Sequence, residues 1–177
     1  LSLAEGSADA PATSDTIAGL ASRKNTAFRR ILERDGISIY QDALVLLRAV
    51  EARGCRTGLI TSSRNSAAVL AATGLTRRFD VEVDGVVAAR LQLAGKPAPD
   101  TFLEAVHRLA VKPSQAALVE DSIAGIEAAS AGGFALIIAV NRAGIAEELR
   151  AAGADLVVDD LACLAEGAEE TSPELGP

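Results

Sequence analysis

From about position 56 onward the chain alternates short apolar runs, polar turns and helix-length stretches. The runs at 56–61, 116–119, 134–140 and 155–158 are continuous rather than alternating, the pattern of strands covered on both faces. Helices are predicted from the polar turn at 62–65 through 72, and over 101–109, 122–131 and 143–151. In the 101–109 segment Phe102, Leu103, Val106 and Leu109 form the expected apolar face. Two runs at 80–83 and 85–90 are expected either to pair as short strands or to place Val81 in the main sheet. Upstream, Ala43, Leu46, Leu47 and Val50 draw one stripe on a helix over 41–52, closed by Gly54. Residues 16–34 read as helical material interrupted near Gly19, with a polar, basic middle at Arg23, Lys24 and Asn25.

Strands alternating with helices of this length predict an α/β fold with a parallel sheet and flanking helices. The part before residue 38 has helix but no strand and reads as a small accessory domain, 1–38, ahead of an α/β core at 39–165. Residues 166–177 read as a disordered tail.

Composition changes this picture in a few places. With 177 residues the chain can bury one sizeable core. Only 3% of residues are aromatic against 49% hydrophobic, so that core must be built from Ala, Leu, Val and Ile, with helices lying close to the sheet. Seventeen basic against 24 acidic residues leave a net charge of −7, which argues against nucleic acid or an anionic membrane as partner. A small phosphorylated substrate stays compatible, because a few local donors and a cation can reverse the field inside one pocket. Cys55 and Cys163 have no metal-ligand spacing and read as unpaired thiols. No apolar run is long enough to span a bilayer and no leader pattern opens the chain, so the cytoplasm is the expected compartment.

Ligands of an open parallel sheet bind beyond the carboxyl ends of its strands, and several polar groups are predicted there. Thr61 and Ser63 bring hydroxyls to the end of the first strand, either to cradle a phosphate or to cap the next helix. Lys96, pinned in Gly95-Lys96-Pro97-Ala98-Pro99, can hold a phosphate or stand as a solvated loop lysine. Glu120 and Asp121 follow an apolar strand directly, as magnesium ligands or as helix caps. Arg23 and Lys24 either reach a substrate's distal part or line a solvated helix face. His107 falls on the polar side of its helix, which leaves no histidine for a triad or a zinc site. Neither GxGxxG nor GxxxxGK[ST] occurs.

Together these motifs resemble the haloacid dehalogenase-like hydrolases, most closely the beta-phosphoglucomutase-like branch, over about residues 15–163. The carriers are Leu59-Ile60-Thr61-Ser62-Ser63-Arg64-Asn65, Gly95-Lys96-Pro97-Ala98-Pro99-Asp100 and Val119-Glu120-Asp121-Ser122-Ile123-Ala124-Gly125. The resemblance implies a Rossmannoid parallel sheet with a helical cap and a phosphoryl-transfer site. It implies that Thr61 and Lys96 serve catalysis and that Thr61, Ser63, Arg64, Asn65 and Lys96 bind phosphate. Arg23, Lys24 and Asn25 would approach the rest of a sugar phosphate, with Mg²⁺ held by Glu120 and Asp121. The expected activity is that of a sugar-phosphate phosphatase or a beta-phosphoglucomutase-like enzyme.

One part of the pattern is missing. Such proteins open with a strand followed by Asp-x-Asp-Gly, whose first aspartate attacks phosphorus and whose second works as acid and base. No Asp-x-Asp-Gly occurs, and the stretch Asp80 to Gly85 has the wrong spacing and order. The sheet is therefore expected to lack its first, central strand, between the strand ending at Thr61 and the one ending at Val119. The chain is expected to be catalytically inactive alone, aggregation-prone, and open to a complementing N-terminal segment or chain. The alternative is a non-catalytic remnant that binds phosphate or a partner.

Overall fold

Five short strands, all parallel, carry the fold in a computed structural model that describes residues 3–7 and 11–166. They form two sheets. Strand β1 (Gly58–Ile60) pairs with β2 (Val81–Val83), Gly58 opposite Val81 and Ile60 opposite Val83. Strands β3 (Ala117–Glu120), β4 (Leu136–Val140) and β5 (Leu156–Val158) pair in that order. No strand lies between β1 and β3 among the described residues, so the expected core strand is absent and the sheet is split where it belongs.

The two halves nevertheless share a core. On one face, Phe102 of α5 (Asp100–Arg108) and Ile126, Ala128 and Ala129 of α6 (Ile123–Gly132) pack on Leu118, Ile137 and Ala139, and Ile60 of β1 joins the same cluster. The alanines bring α6 close to the sheet, as the aromatic-poor composition requires. Each fully buried aliphatic or aromatic side chain here contributes about 1.5–3 kcal/mol. On the opposite face Ile138, Val140 and Leu161 meet Ala43 and Leu46 of α2 (Gln41–Ala52). Between this face and α3 (Ser66–Thr73) an apolar cavity of about 360 Å³ is lined by Ile37, Ile39, Ala43, Leu59, Val69 and Leu70. Val119 shows what the gap does. It stands in register with Ile138, yet it is 42% exposed while Ile138 is 7% exposed, because β3 has a neighbour on one side only.

Local chemistry overrides the sequence pattern in several places. Helix α1 (Ile17–Asp35) runs unbroken, its Thr16 cap accepting from the Gly19 N–H at 3.0 Å. Gly19 does not interrupt the helix; a Cβ there would lie 2.1 Å from the Ser14 carbonyl oxygen, so glycine permits a close approach. The 85–90 run is helix α4 (Gly85–Leu91), not a strand, because the Asp84 carboxylate accepts from the Val86 and Val87 N–H groups at 3.0 and 2.8 Å. Of the two alternatives, β2 in the main sheet beside β1 is the one realised. Along α5 the buried face is Phe102, Ala105, Val106 and Leu109, with Leu103 turned outward at 36% exposure. Short helices α7 (Ala146–Ala151) and α8 (Cys163–Glu166) complete the described chain. The expected tail begins at Glu166, the last residue of α8; residues 167–177 lie outside the described residues. No helix among the described residues is long and apolar enough to cross a membrane.

Asp42 ties α2 to the far sheet. Its Oδ2 accepts from Arg142 Nη2 at 2.6 Å and from the Leu161 N–H at 3.0 Å. Burial alone would raise its pKa, but the Leu161 N–H and the Arg142 guanidinium together hold it below the usual carboxylate value. A carboxylate depressed in the folded state contributes stability above its unfolded pKa, about 4, and loses it as pH falls through the lower folded value. Wild type should therefore lose urea resistance as pH drops below about 4. Asp42→Asn should start less stable at neutral pH and lose less over that window. Equal slopes in the two proteins would show that Asp42 contributes nothing to the acid limb.

Candidate active site

Thr61 and Glu120 mark the carboxyl ends of β1 and β3, which belong to separate sheets with no strand paired between them among the described residues. Thr61 follows β1 directly and donates its N–H to the Val83 carbonyl at 3.0 Å, which holds the loop to the sheet. Its Oγ1 accepts from the Ser63 N–H at 3.1 Å, and Ser63 Oγ accepts from the Asn65 N–H at 3.1 Å. Both hydroxyls thus use a lone pair on the loop and keep their protons to donate to an anion. Neither Thr61 nor Ser63 is the N-cap of α3: that position is Asn65, whose own side chain makes no capping bond, and Ser63 Oγ meets only the Asn65 N–H ahead of the helix. Ser66, the first residue of α3, is buried and donates to Asp84 Oδ2 at 2.8 Å. That bond fixes the loop to the end of β2.

On the other side, Lys96 leaves a turn closed by the Ala98 N–H on the Gly95 carbonyl at 3.0 Å, with a cis Lys96–Pro97 peptide. Its Nζ lies 2.6 Å from Glu120 Oε2 and 5.0 Å from the centre of the Phe102 ring. The two side chains are only 19% and 11% exposed, so water screens the pair weakly. Glu120 Oε1 accepts from Ser122 Oγ at 2.7 Å and from the Ser122 N–H at 3.3 Å. Ser122 is also the N-cap of α6, accepting from the Gly125 N–H at 3.1 Å, so neither Glu120 nor Asp121 caps that helix. Asp121 is exposed.

The basic segment divides. Asn25 Oδ1 accepts from Asn65 Nδ2 at 2.5 Å and so joins α1 to the β1 loop. Arg23 donates to the carbonyls of Ala12 and Ser14 at 2.7 and 3.2 Å, beside Asp15 at 3.7 Å. Lys24 and Arg64 are exposed. The structure therefore assembles Thr61 with Ser63 and Asn65, Asn65 with Asn25, and Lys96 with Glu120. It commits Arg23 to the preceding loop and leaves Lys24 and Arg64 on the surface.

Residues 5–133 match the family model for the haloacid dehalogenase-like hydrolases. The chain belongs to that family. It is 42% identical over 165 residues to the beta-phosphoglucomutases of Mycobacterium bovis and Mycobacterium tuberculosis, covering 92% of this chain and 63% of each relative. The chain thus spans less than two thirds of those curated relatives. Among solved structures, the beta-phosphoglucomutase of Clostridium difficile is 26% identical with a TM-score of 0.70, over 86% of this chain and 64% of that one. CbbY from Rhodobacter sphaeroides, crystallised with phosphate, is 27% identical with a TM-score of 0.70, over 88% of this chain and 68% of that one.

This family relies on hard-oxygen metal ligands, and the described residues meet that need in part. Glu120 and Asp121 are two carboxylates at one strand end, but no group of three or more His, Cys, Asp or Glu side chains converges on a metal position among the described residues. Magnesium keeps several waters and shares substrate phosphate, so two carboxylates fit as part of its shell, with further ligands from outside the pair.

Sequence reasoning missed the polar groups that end β4. Asn141 Nδ2 donates to Asp159 Oδ1 at 2.8 Å while its Oδ1 accepts from the Ile145 N–H at 2.7 Å, bracing the ends of β4 and β5. Arg142 stacks over the Tyr40 ring at 4.2 Å as it meets Asp42. Asn141-Arg142 directly after the apolar run was the available signal.

Proposed function

We propose that this chain carries most of a magnesium-dependent phosphoryl-transfer site for a small phosphorylated substrate, a sugar phosphate by preference. We propose further that it lacks the attacking carboxylate. The observation that supports this reading is the Lys96–Glu120 pair at the end of β3, largely shielded from water, together with the Thr61 and Ser63 hydroxyls just past the end of β1. Thr61, Ser63, Asn65 and the ammonium of Lys96 would hold the phosphate oxygens, with Arg64 at the rim. Lys96 would offset charge that grows on those oxygens during transfer. Glu120 and Asp121 would hold magnesium, which when bound supplies further neutralisation of the same charge. Asn25, with Arg23 and Lys24 on the same helix, would approach the rest of the substrate; residues 1–38 are on this reading part of a cap.

A carboxylate on a strand filling the gap would attack phosphorus in line and expel the substrate's alkoxide, which takes up a proton. Water would then release phosphate, or a second sugar hydroxyl would accept the phosphoryl group. Without that strand the chain binds and does not turn over, the reading favoured by the split sheet.

Phosphate release from a sugar-phosphate panel including beta-glucose 1-phosphate is expected to stay at background. Inorganic phosphate should bind in the presence of Mg²⁺ and lose about tenfold or more in affinity in Lys96→Ala, the loss of one charge-assisted contact. Turnover that disappears in Lys96→Ala would place a nucleophile within the chain and overturn the inactive reading. A folded sample that binds no phosphate would overturn the site itself.

A further inference from the structure

Gly125 stands in the first turn of α6, buried, with ordinary right-handed helical backbone. No turn or positive φ asks for glycine at this position, and glycine is the poorest helix former after proline. Its reason lies in the space beside it. A Cβ at 125 would stand 2.2 Å from Cδ, 2.3 Å from Cγ and 2.4 Å from Oε1 of Glu120. The Glu120 side chain fills the volume that any other residue would occupy.

The Gly125 N–H also has a task. It donates to Ser122 Oγ at 3.1 Å, and Ser122 Oγ in turn donates to Glu120 Oε1 at 2.7 Å. The glycine amide engages the serine oxygen as acceptor, so the hydroxyl proton is directed at the carboxylate. With Oε1 held this way, Oε2 meets Lys96 Nζ at 2.6 Å. We propose that Gly125, acting with Ser122, is the positioning residue that seats Glu120 against Lys96. Its importance to phosphate and metal binding rests on the function proposed above; its effect on the ion pair does not.

The two physical consequences of Gly125→Ala oppose each other, which makes the proposal testable in the intact chain. Helix propensity rises, while Glu120 must swing out of its seat. Lys24, Lys96 and Lys112 are the three lysines of the chain, and brief amine acylation read by mass spectrometry reports each separately. In Gly125→Ala, Lys96 is expected to react about fivefold faster, the equivalent of about 1 kcal/mol of lost pairing. Lys24 and Lys112 should keep their rates, and the melting temperature should be equal or higher. Glu120→Gln should accelerate Lys96 similarly, and adding Gly125→Ala to it should change nothing more. Ser122→Ala should give a smaller rise and carries the test if Gly125→Ala does not fold. An unchanged Lys96 rate in the folded variant, or a rise shared by all three lysines, would overturn the proposal. These rates respond whether or not the site binds phosphate, so failure here and failure of the phosphate reading are separate results.

Discussion

Phe102→Ala should lower the unfolding free energy by about 3–5 kcal/mol, a large share of what a domain of this size commands. Phe102 is 2% exposed and meets the Phe134 ring edge-on at 6.0 Å. It belongs to the cluster in which Ile60 from one sheet and Leu118 and Ile137 from the other come together. In an unbroken sheet, hydrogen bonds through a central strand would also couple these halves. Here α5 and that cluster carry the coupling, so an alanine leaves a cavity at the joint. Lys96 Nζ also rests 5.0 Å over the same ring, and its position should loosen together with the core. Urea denaturation followed by circular dichroism measures the loss, with Leu103→Ala as comparison. Leu103 sits on the same helix but faces outward at 36% exposure, so its removal should cost no more than about 1 kcal/mol. Equal costs for the two would mean that the halves are not held together through Phe102.

Much of this arrangement was legible before any coordinates. Continuous apolar runs at 56–61, 116–119, 134–140 and 155–158 predict the strands, with polar groups at the ends of the first two, and the missing Asp-x-Asp-Gly segment predicts the absent core strand. The misses have physical causes. Val86 and Val87 look like strand residues because they are β-branched, but two hydrogen bonds to Asp84 start a helix there. Gly19 looks like a breaker because sequence carries no record of the Ser14 carbonyl lying against it. Leu103 and Ala105 exchange their expected burial because hydrophobicity does not say which way a short helix is rolled. Arg23 reads as a free cation until the carbonyls of Ala12 and Ser14 are seen to occupy it. For Ser122 and Gly125 the spacing Glu-Asp-Ser-x-x-Gly was visible, but it reads as a helix start. Only the approach of the Glu120 side chain in the fold shows what the glycine makes room for.

The Lys96–Glu120 pair should show its worth most clearly when one charge is removed and the other left. At 19% and 11% exposure the pair lies between a surface contact and a fully buried one, so Lys96→Met should cost about 2–3 kcal/mol. Most of that cost is the uncompensated carboxylate, which keeps only the hydroxyl and N–H of Ser122. Removing both charges in Lys96→Met/Glu120→Gln should therefore recover stability to within about 1 kcal/mol of wild type. The same reasoning extends to a divalent cation. Once the ammonium is gone, Mg²⁺ near Glu120 and Asp121 relieves the stranded charge, so it should raise the melting temperature of Lys96→Met more than that of wild type. Thermal scans of the four proteins, with and without millimolar Mg²⁺, separate the possibilities. A double variant no more stable than Lys96→Met would mean that the lysine acts by packing over Phe102 rather than by charge. A Mg²⁺ response that survives Glu120→Gln unchanged would remove Glu120 from the metal's ligands and leave its carboxylate a partner of Lys96 alone.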